Sequence, residues 1–319
     1  METVIITGGT GLVGTALSKL LVQNGYAVVL LSRSIPALAE DAPSGNVESS
    51  AIRKAYWDPA KKQIDKLAIE QADYIINLAG AGVAEKRWTP ARKKEILESR
   101  VQSGQLLVKA LREIPNKVKA VINASAIGWY GADVKENNSA AFTEADPADI
   151  GFLGNACLQW EDSIKPVTEL QKRLVILRIG IVLSNEGGAL AEFKKPLRLG
   201  VAAILGNGRQ IISWIHIDDL CRLFLYALKQ QDLSGIYNAV APEPVSNAEL
   251  TIQLAKKKNG RLFIPVKVPA IALKMILGEM SVEVLKSATV SSRKIESSGF
   301  EFLYPSINKA LEVLCPSRI

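Results

Sequence analysis

Residues 3–25 read TVIITGGTGLVGTALSKLLVQNG, and this stretch decides the fold of the chain. A β-branched run ends in two glycines, and apolar residues then recur at helical spacing until Asn24 and Gly25 end the pattern. The stretch therefore predicts a strand, a tight turn and a helix. The missing side chains of Gly8, Gly11 and Gly14 would let a pyrophosphate lie against the helix N-terminus.

Apolar runs alternate with helix-length segments over residues 26–184. One helix is predicted to begin after the N-cap Thr89, with Pro90 in its first position, and another spans residues 153–171. This alternation predicts an α/β fold, a doubly wound parallel sheet of the Rossmann type with helices on both faces. The further predicted strands are YAVVLLSRS (26–34), KAYWDP (54–59), ADYIINLAG (72–80), KAVINASA (119–126) and RLVILRIGIVLS (173–184).

The regular alternation stops after about residue 183, where the glycine-rich segment NEGGAL begins. One more strand, GIYNAV, is predicted near residues 235–240, so the second part of the chain returns to the sheet of the first. We therefore predict a dinucleotide-binding domain from residues 1–182 plus that strand. Residues 183–319 would form a smaller, interleaved C-terminal lobe for the substrate, lying across the carboxyl ends of the strands.

Composition excludes several classes of protein. Hydrophobic residues make up 48% of the 319 and charged residues 22%, and no stretch is long and apolar enough to span a bilayer. Three cysteines without paired spacing favour a reducing, cytoplasmic setting. With a single histidine and no cysteine cluster, no metal site is predicted.

The net charge of +7 has a local source in residues 85–119, which hold ten Lys or Arg against four Glu. The excess indicates either a solvated helix face or attraction of phosphorylated small molecules. Aromatic interleaving and nucleic-acid-binding signatures are missing, so a nucleic acid is not expected as a partner. No membrane partner is expected either, because no stretch is long and apolar enough to span a bilayer.

The end of the second strand indicates which cofactor binds. NAD sites usually carry an acidic residue there for the ribose 2′-hydroxyl, but this strand ends in Ser32, Arg33 and Ser34. A guanidinium suits a 2′-phosphate, which a carboxylate would repel. The sequence therefore predicts NADP(H), held by Gly8, Thr10, Gly11, Leu12, Val13, Ser32 and Arg33.

Several longer segments together resemble atypical short-chain dehydrogenase/reductase proteins of the NAD-dependent epimerase/dehydratase, or sugar-nucleotide epimerase-like, family with a C-terminal domain of unknown function. They include SAIGWYG, FLGNACLQWE, LRIGIVLSNEGGAL, LGNGRQIISWIHIDDL and YNAVAPEPVSN, in the family's order along nearly the whole chain. The resemblance implies that Asp58, Leu78, Ala79 and Gly80 border the adenine and its ribose. It also implies substrate contacts at Arg209 and Gln210, although simple packing of their loop is an equal alternative.

The resemblance also implies a Tyr-x-x-x-Lys dyad, which this chain lacks. Aligned on the family pattern, Phe152 stands at the tyrosine and Ala156 at the lysine, and no tyrosine in the chain is followed four residues later by lysine. Ser125 and Tyr130 remain as candidate catalytic hydroxyls; alternatively, Tyr130 simply packs in a loop with its hydroxyl hydrogen-bonded.

Other residues near the predicted site are weaker candidates for a functional role. Arg87 and Trp88 follow the fourth strand and are candidate substrate contacts. Glu161 is predicted to lie too far along its helix to reach a nicotinamide. His216, in IHIDDL, resembles the superfamily's structural Ile-His-x-x-Asp and is not expected to catalyse.

Two functions stay open. One is an NADP(H)-dependent oxidoreductase or epimerase acting on a small molecule, phosphorylated or nucleotide-linked. The other is a cofactor-binding redox sensor or interaction protein without efficient turnover. A cleft between two lobes favours the enzyme, and the missing dyad favours the second function.

Overall fold

A computed structural model describes residues 1–34, 51–133 and 141–316. Val134, the residue four positions after Tyr130, lies outside the described residues. The strands, in chain order, are β1 (Thr3–Thr7), β2 (Ala27–Ser32), β3 (Ile52–Asp58), β4 (Gln63–Ile64), β5 (Tyr74–Asn77), β6 (Ala120–Ala126), β7 (Arg173–Ile179), β8 (Ile181–Ser184), β9 (Gly187–Gly188), β10 (Val201–Leu205), β11 (Ile211–Ile212), β12 (Trp214–His216), β13 (Gly235–Ala239), β14 (Val245–Ser246) and β15 (Ile264–Val268).

Helices connect most of these strands. The α-helices are α1 (Leu12–Gln23), α2 (Lys66–Gln71), α3 (Pro90–Glu113), α4 (Phe152–Ile164), α5 (Ala189–Leu197), α6 (Ile217–Lys229), α7 (Asn247–Asn259), α8 (Ala270–Leu277), α9 (Ser281–Leu285), α10 (Arg293–Ser297) and α11 (Ile307–Leu314). Short 3-10 helices occupy Ile127–Trp129, Lys165–Leu170 and Gly278–Met280. No helix in the described ranges is long and apolar enough to cross a membrane.

The largest sheet has eight strands in the order β13-β7-β6-β5-β1-β2-β3-β4. Every neighbouring pair is parallel except β3 and β4, which form a short antiparallel pair that the sequence did not reveal. The strand predicted near residues 235–240 is β13, and it pairs with β7. The doubly wound parallel fold is thus confirmed, whereas the domain boundary near residue 182 stays a prediction.

Alternating side chains of the strands fill two apolar cores. In β1, Val4 and Ile6 face the core covered by α1 and α6, while Ile5 faces the core covered by α2 and α3. A third core joins β8, β10 and β12 to α5, α7 and α11. Helix α3 begins at Pro90 as predicted, and the Thr89 side chain caps it by accepting a hydrogen bond from the Arg92 N–H (3.1 Å).

The prediction of one strand over residues 173–184 was wrong. The chain divides at Gly180 into β7, in the large sheet, and β8, which pairs with β12 in a separate three-stranded sheet. A Cβ at Gly180 would lie 2.8 Å from both the Ser213 carbonyl oxygen and Val240 Cγ1. The chain can leave the large sheet at Gly180 and enter the smaller one because this position has no side chain. The helix predicted over 153–171 likewise ends at Ile164 and continues as a 3-10 helix.

We expect Gly180→Val to lower the free energy of unfolding by about 1–3 kcal/mol, because the added side chain overpacks the point where two sheets separate. Urea unfolding would measure the change, with Ala60→Val in an exposed turn as the control. An unchanged transition would mean that the sheets can move apart there at little cost.

Candidate functional site

Neither the turn after β1 nor the first turn of α1 has room for a side chain at its tightest glycine, Gly8 and Gly14 respectively. Gly8 has a φ of +65°, and a Cβ there would lie 2.8 Å from the Leu78 carbonyl oxygen. A Cβ at Gly14 would lie 2.6 Å from the Gly8 carbonyl oxygen. The N-cap of α1 is Gly11, which supplies no side-chain cap. The N-cap side chain therefore occupies none of the first N–H groups of α1, the groups that bind anions at helix N-termini.

The strand register brings the predicted cofactor residues to one edge of the sheet. Thr7 pairs with Leu31 on β2 and with Asn77 on β5, so the segments after these three strands emerge side by side. Asp58 is the last residue of the next strand, β3, whose Tyr56 pairs with Ser32 of β2. This is the carboxyl edge, where parallel α/β sheets bind their ligands.

A buried polar chain fixes this edge. The Thr7 hydroxyl donates to Asn77 Oδ1 (2.6 Å) and accepts from the N–H groups of Leu78 (3.0 Å) and Ala79 (3.1 Å). Asn77 Nδ2 in turn donates to Asn123 Oδ1 on β6 (2.6 Å). These bonds hold Leu78 and Ala79, the segment after β5, against Thr7, the residue that precedes the glycine loop.

The adenosine end of the predicted site is exposed and positively charged. Arg33 follows β2 on the surface and, within the described residues, forms no ion pair. The Asp58 carboxylate accepts from the N–H of Ala60 (3.1 Å) and lies 3.6 Å from Lys61 Nζ. Thr10, Gly11 and Gly80 are exposed, Leu12, Val13, Ser32 and Leu78 are half-buried, and Ala79 is buried. Their contacts with a cofactor stay predictions.

The two candidate catalytic hydroxyls are buried and already hydrogen-bonded. The Ser125 hydroxyl donates to Glu161 Oε1 (2.7 Å). The Tyr130 hydroxyl donates to Asn238 Oδ1 (2.7 Å), accepts from Arg178 Nη1 (3.1 Å), and has its pKa raised by burial to about 12. Each hydroxyl proton is thus directed at a protein acceptor. The geometry of Tyr130 favours the alternative that it packs in a loop.

A buried ion pair, missed by sequence reasoning, organises these hydroxyls. Arg178 on β7 donates to both Glu161 carboxylate oxygens (Nε to Oε1 2.9 Å, Nη2 to Oε2 3.0 Å), and both side chains are buried. The guanidinium lies 3.5 Å from the Trp129 ring centroid. An arginine inside the apolar run RLVILRI was the available signal, because a buried charge requires a partner.

The two positions that the sequence resemblance aligns with a Tyr-x-x-x-Lys dyad are apolar, and that alignment stays a prediction. Phe152 is the first residue of α4, and its ring contacts Trp88 edge-to-face with centroids 5.1 Å apart. Lys93 Nζ lies 5.2 Å from the same ring. Ala156 is buried one turn later. The structure thus places Trp88, a candidate substrate contact, against Phe152. Neither side chain can transfer a proton.

The remaining candidates differ in accessibility. Arg87 is exposed, and a Cβ at Gly278 would lie 3.0 Å from its Nη2. Arg209 is also exposed, whereas Gln210 is buried and donates to the Leu205 carbonyl oxygen (3.0 Å). That bond favours the packing alternative for Gln210.

His216 serves the backbone. Its Nδ1 accepts from the Asp218 N–H (3.1 Å) at the start of α6, and burial lowers its pKa. Within the described part of the chain, no group of three or more His, Cys, Asp or Glu could hold a metal ion.

The sequence model of the NAD dependent epimerase/dehydratase family matches residues 4–239. That match spans most of the chain, which therefore belongs to this family, as its motifs predicted. The sequence model of DUF1731, a domain of unknown function, matches residues 268–314.

Individual relatives align over almost the whole length. An epimerase family protein of Staphylococcus aureus strain MRSA252 is 35% identical over 314 residues, or 98% of this chain and 99% of the relative. One from Mycobacterium bovis is 32% identical over 309 residues, or 97% and 96%. The crystal structure of human epimerase family protein SDR39U1 with NADPH superposes with a TM-score of 0.83 at 29% identity, covering 98% of this chain and 99% of that one.

We expect Glu161→Gln to lower the free energy of unfolding by about 3–5 kcal/mol, because it leaves the Arg178 charge buried without a counter-charge. Replacing both partners, Glu161→Met with Arg178→Met, should cost less than the single change. The exposed pair of Glu169 with Arg112 supplies the control, and Glu169→Gln should change stability by less than about 1 kcal/mol. Denaturant unfolding would measure all three, and equal effects of the two glutamine variants would contradict a structural role for the buried pair.

Proposed function

We propose that this chain binds NADP(H) at the carboxyl edge of its sheet. The observation that carries the proposal is the close packing at Gly8, in the turn after β1, and at Gly14, in the first turn of α1. A Cβ at either position would collide with backbone, and no side chain caps the N-terminus of α1. The NADPH in the crystal structure of human SDR39U1 supports the same cofactor. Bound NADP(H) supplies or accepts a hydride.

Each part of the edge has a proposed role. The loop and the first turn of α1 hold the pyrophosphate, Arg33 binds the 2′-phosphate, and the segments after β3 and β5 border the adenine and its ribose. The proposed cofactor residues are Gly8, Thr10, Gly11, Leu12, Val13, Ser32, Arg33, Asp58, Leu78, Ala79 and Gly80.

The proposed activity is that of an oxidoreductase or epimerase on a small anionic molecule, either phosphorylated or nucleotide-linked. Membership of the epimerase/dehydratase family supports this class of reaction. Exposed Arg87, beside the Trp88–Phe152 pair, and the basic excess of residues 85–119 support an anionic substrate. The substrate would lie between this loop and the C-terminal lobe.

A second function, cofactor binding without efficient turnover, is favoured by one observation. The Ser125 hydroxyl donates to Glu161 and the Tyr130 hydroxyl donates to Asn238. The side chains of Phe152 and Ala156 have no group that can donate a proton. A carbonyl reduced by hydride needs a proton donor within hydrogen-bond reach. A redox sensor has no such requirement.

Cofactor selectivity is the first expected outcome. NADPH should bind more tightly than NADH by about 1–3 kcal/mol, because only NADPH offers Arg33 a phosphate. Arg33→Asp should reverse the preference, whereas Lys19→Asp, on the exposed face of α1, should leave it unchanged. Fluorescence or calorimetric titration with both cofactors would measure this, and equal affinities in the unmodified protein would refute the role of Arg33.

Turnover of generic carbonyl substrates tests whether Tyr130 acts as a proton donor. With common aldehydes and ketones, NADPH oxidation should stay near background, and Tyr130→Phe should not change it, because that hydroxyl is buried against Asn238. The same variant should lose about 1 kcal/mol of stability with its hydrogen bonds. Spectrophotometry of NADPH consumption would check the rate. Rapid oxidation that disappears in Tyr130→Phe would show that the tyrosine is the proton donor after all.

A further inference from the structure

Arg100, on α3, places its guanidinium at the carboxyl edge of the large sheet, behind the segment that follows β5. Its Nη1 donates to the carbonyl oxygens of Ala81 and Ile96, each 2.9 Å away. A Cβ at Gly80, which is exposed, would lie 2.9 Å from Arg100 Cζ. The guanidinium therefore lies directly beside Gly80, and it fits there because that position has no side chain.

Helix α4 borders the guanidinium on another side. Arg100 Cζ lies 5.0 Å from the centroid of the Trp160 ring. The Cys157 thiol, three residues before Trp160, is close enough to influence the pKa of Arg100. Arg100 thus brings a positive charge from α3 to the helix that carries Phe152 and Ala156, neither of which has a polar side chain.

Two of the three guanidinium nitrogens have no partner within the described residues. There, Arg100 Nε and Nη2 form no hydrogen bond, and the side chain takes part in no ion pair. Neither nitrogen is among the fully buried atoms that lack a partner, so solvent reaches both. Burial of the rest of the group lowers the pKa of Arg100. The charge is therefore partly desolvated without a counter-charge, an arrangement that an anion would stabilise.

Arg178 shows what this edge of a guanidinium binds in the same protein. Its Nε and Nη2 donate to the two carboxylate oxygens of Glu161, at 2.9 and 3.0 Å. Two N–H groups on one planar edge match two oxygens of a carboxylate or of a phosphate. Arg100 presents the same two donors to solvent, because its two carbonyl contacts engage only Nη1.

We propose that Arg100 binds an oxyanion of the substrate, a carboxylate or a phosphate, through Nε and Nη2. The inference rests on the proposed function, in which the glycine loop and Arg33 bind the phosphates of the cofactor and the substrate is anionic. The contacts of Nη1 hold the guanidinium in place, so the anionic group binds beside Gly80. Arg100 selects and positions the substrate and transfers no proton, because an arginine side chain stays protonated.

Calorimetric titration of the full chain, saturated with NADPH and at constant ionic strength, tests the proposal with inorganic phosphate and malonate as separate probes. Saturation keeps the probes from the proposed cofactor phosphate sites. At least one probe should bind, and the tighter of the two identifies the group as a phosphate or a carboxylate. Arg100→Lys should weaken that probe by about tenfold, because an ammonium keeps the charge but lacks the two-donor edge.

Arg112→Lys, near the other end of α3, is the matched control, since Arg112 is exposed and pairs with Glu169. It should leave the affinity for the probe unchanged. Titration with NADPH separates substrate binding from a structural role, because Arg100→Lys should keep the affinity for the cofactor.

Three results would overturn the proposal. Neither probe binds, Arg112→Lys weakens the probe as much as Arg100→Lys, or Arg100→Lys weakens NADPH as much as the probe. The last result would show that Arg100 only holds the segment after β5. If NADPH does not bind the unmodified chain, the proposed function fails, and the difference between the two lysine variants in probe binding to the free chain still decides the role of Arg100.

Discussion

The buried pair of Arg178 with Glu161 is the interaction on which the arrangement of Ser125 and Tyr130 at the carboxyl edge of the sheet depends. A guanidinium inside an apolar strand is tolerable only if every donor finds an acceptor, and the surrounding elements are arranged to provide them. Glu161 reaches it from α4, the Tyr130 hydroxyl accepts from it in the loop after β6, and Ser125 completes the carboxylate's hydrogen bonds. One charge thus fixes the ends of two strands, a helix and a loop at the same place.

That constraint divides the carboxyl edge into two halves. The half around the glycine loop is open, with exposed backbone at Gly11 and an unpaired guanidinium at Arg33 within the described residues. The half around Arg178 is closed, because its polar groups satisfy one another and Phe152 and Ala156 of α4 offer no polar side chain. A site built this way retains cofactor recognition whether or not a proton donor is present, which is why binding and turnover are separate questions for this chain.

Local patterns predicted the fold well, since the β1–α1 unit, the N-cap Thr89 and the return strand β13 each depend on residues close in sequence. The family and the glycine loop were likewise predicted from short motifs whose residues are close in sequence. The division at Gly180 was missed because one glycine in the run RLVILRIGIVLS did not reveal the close approach of Ser213 and Val240, which come from later in the chain. The partners of Arg178 and the hydrogen bond of Ser125 also depend on segments far apart in sequence, so no spacing rule could reveal them.

The return of the chain to its first sheet also affects its biosynthesis. When residues 1–179 have left the ribosome, β7 is an unprotected edge strand, because its partner β13 has not yet been made. The core beneath α1 is also incomplete until α6 delivers Leu220, Leu223 and Phe224. The nascent protein must therefore carry an open strand and a bare apolar face while more than fifty further residues are added. We therefore expect chaperones to contact the chain during synthesis, and fragments cut near residue 182 to aggregate.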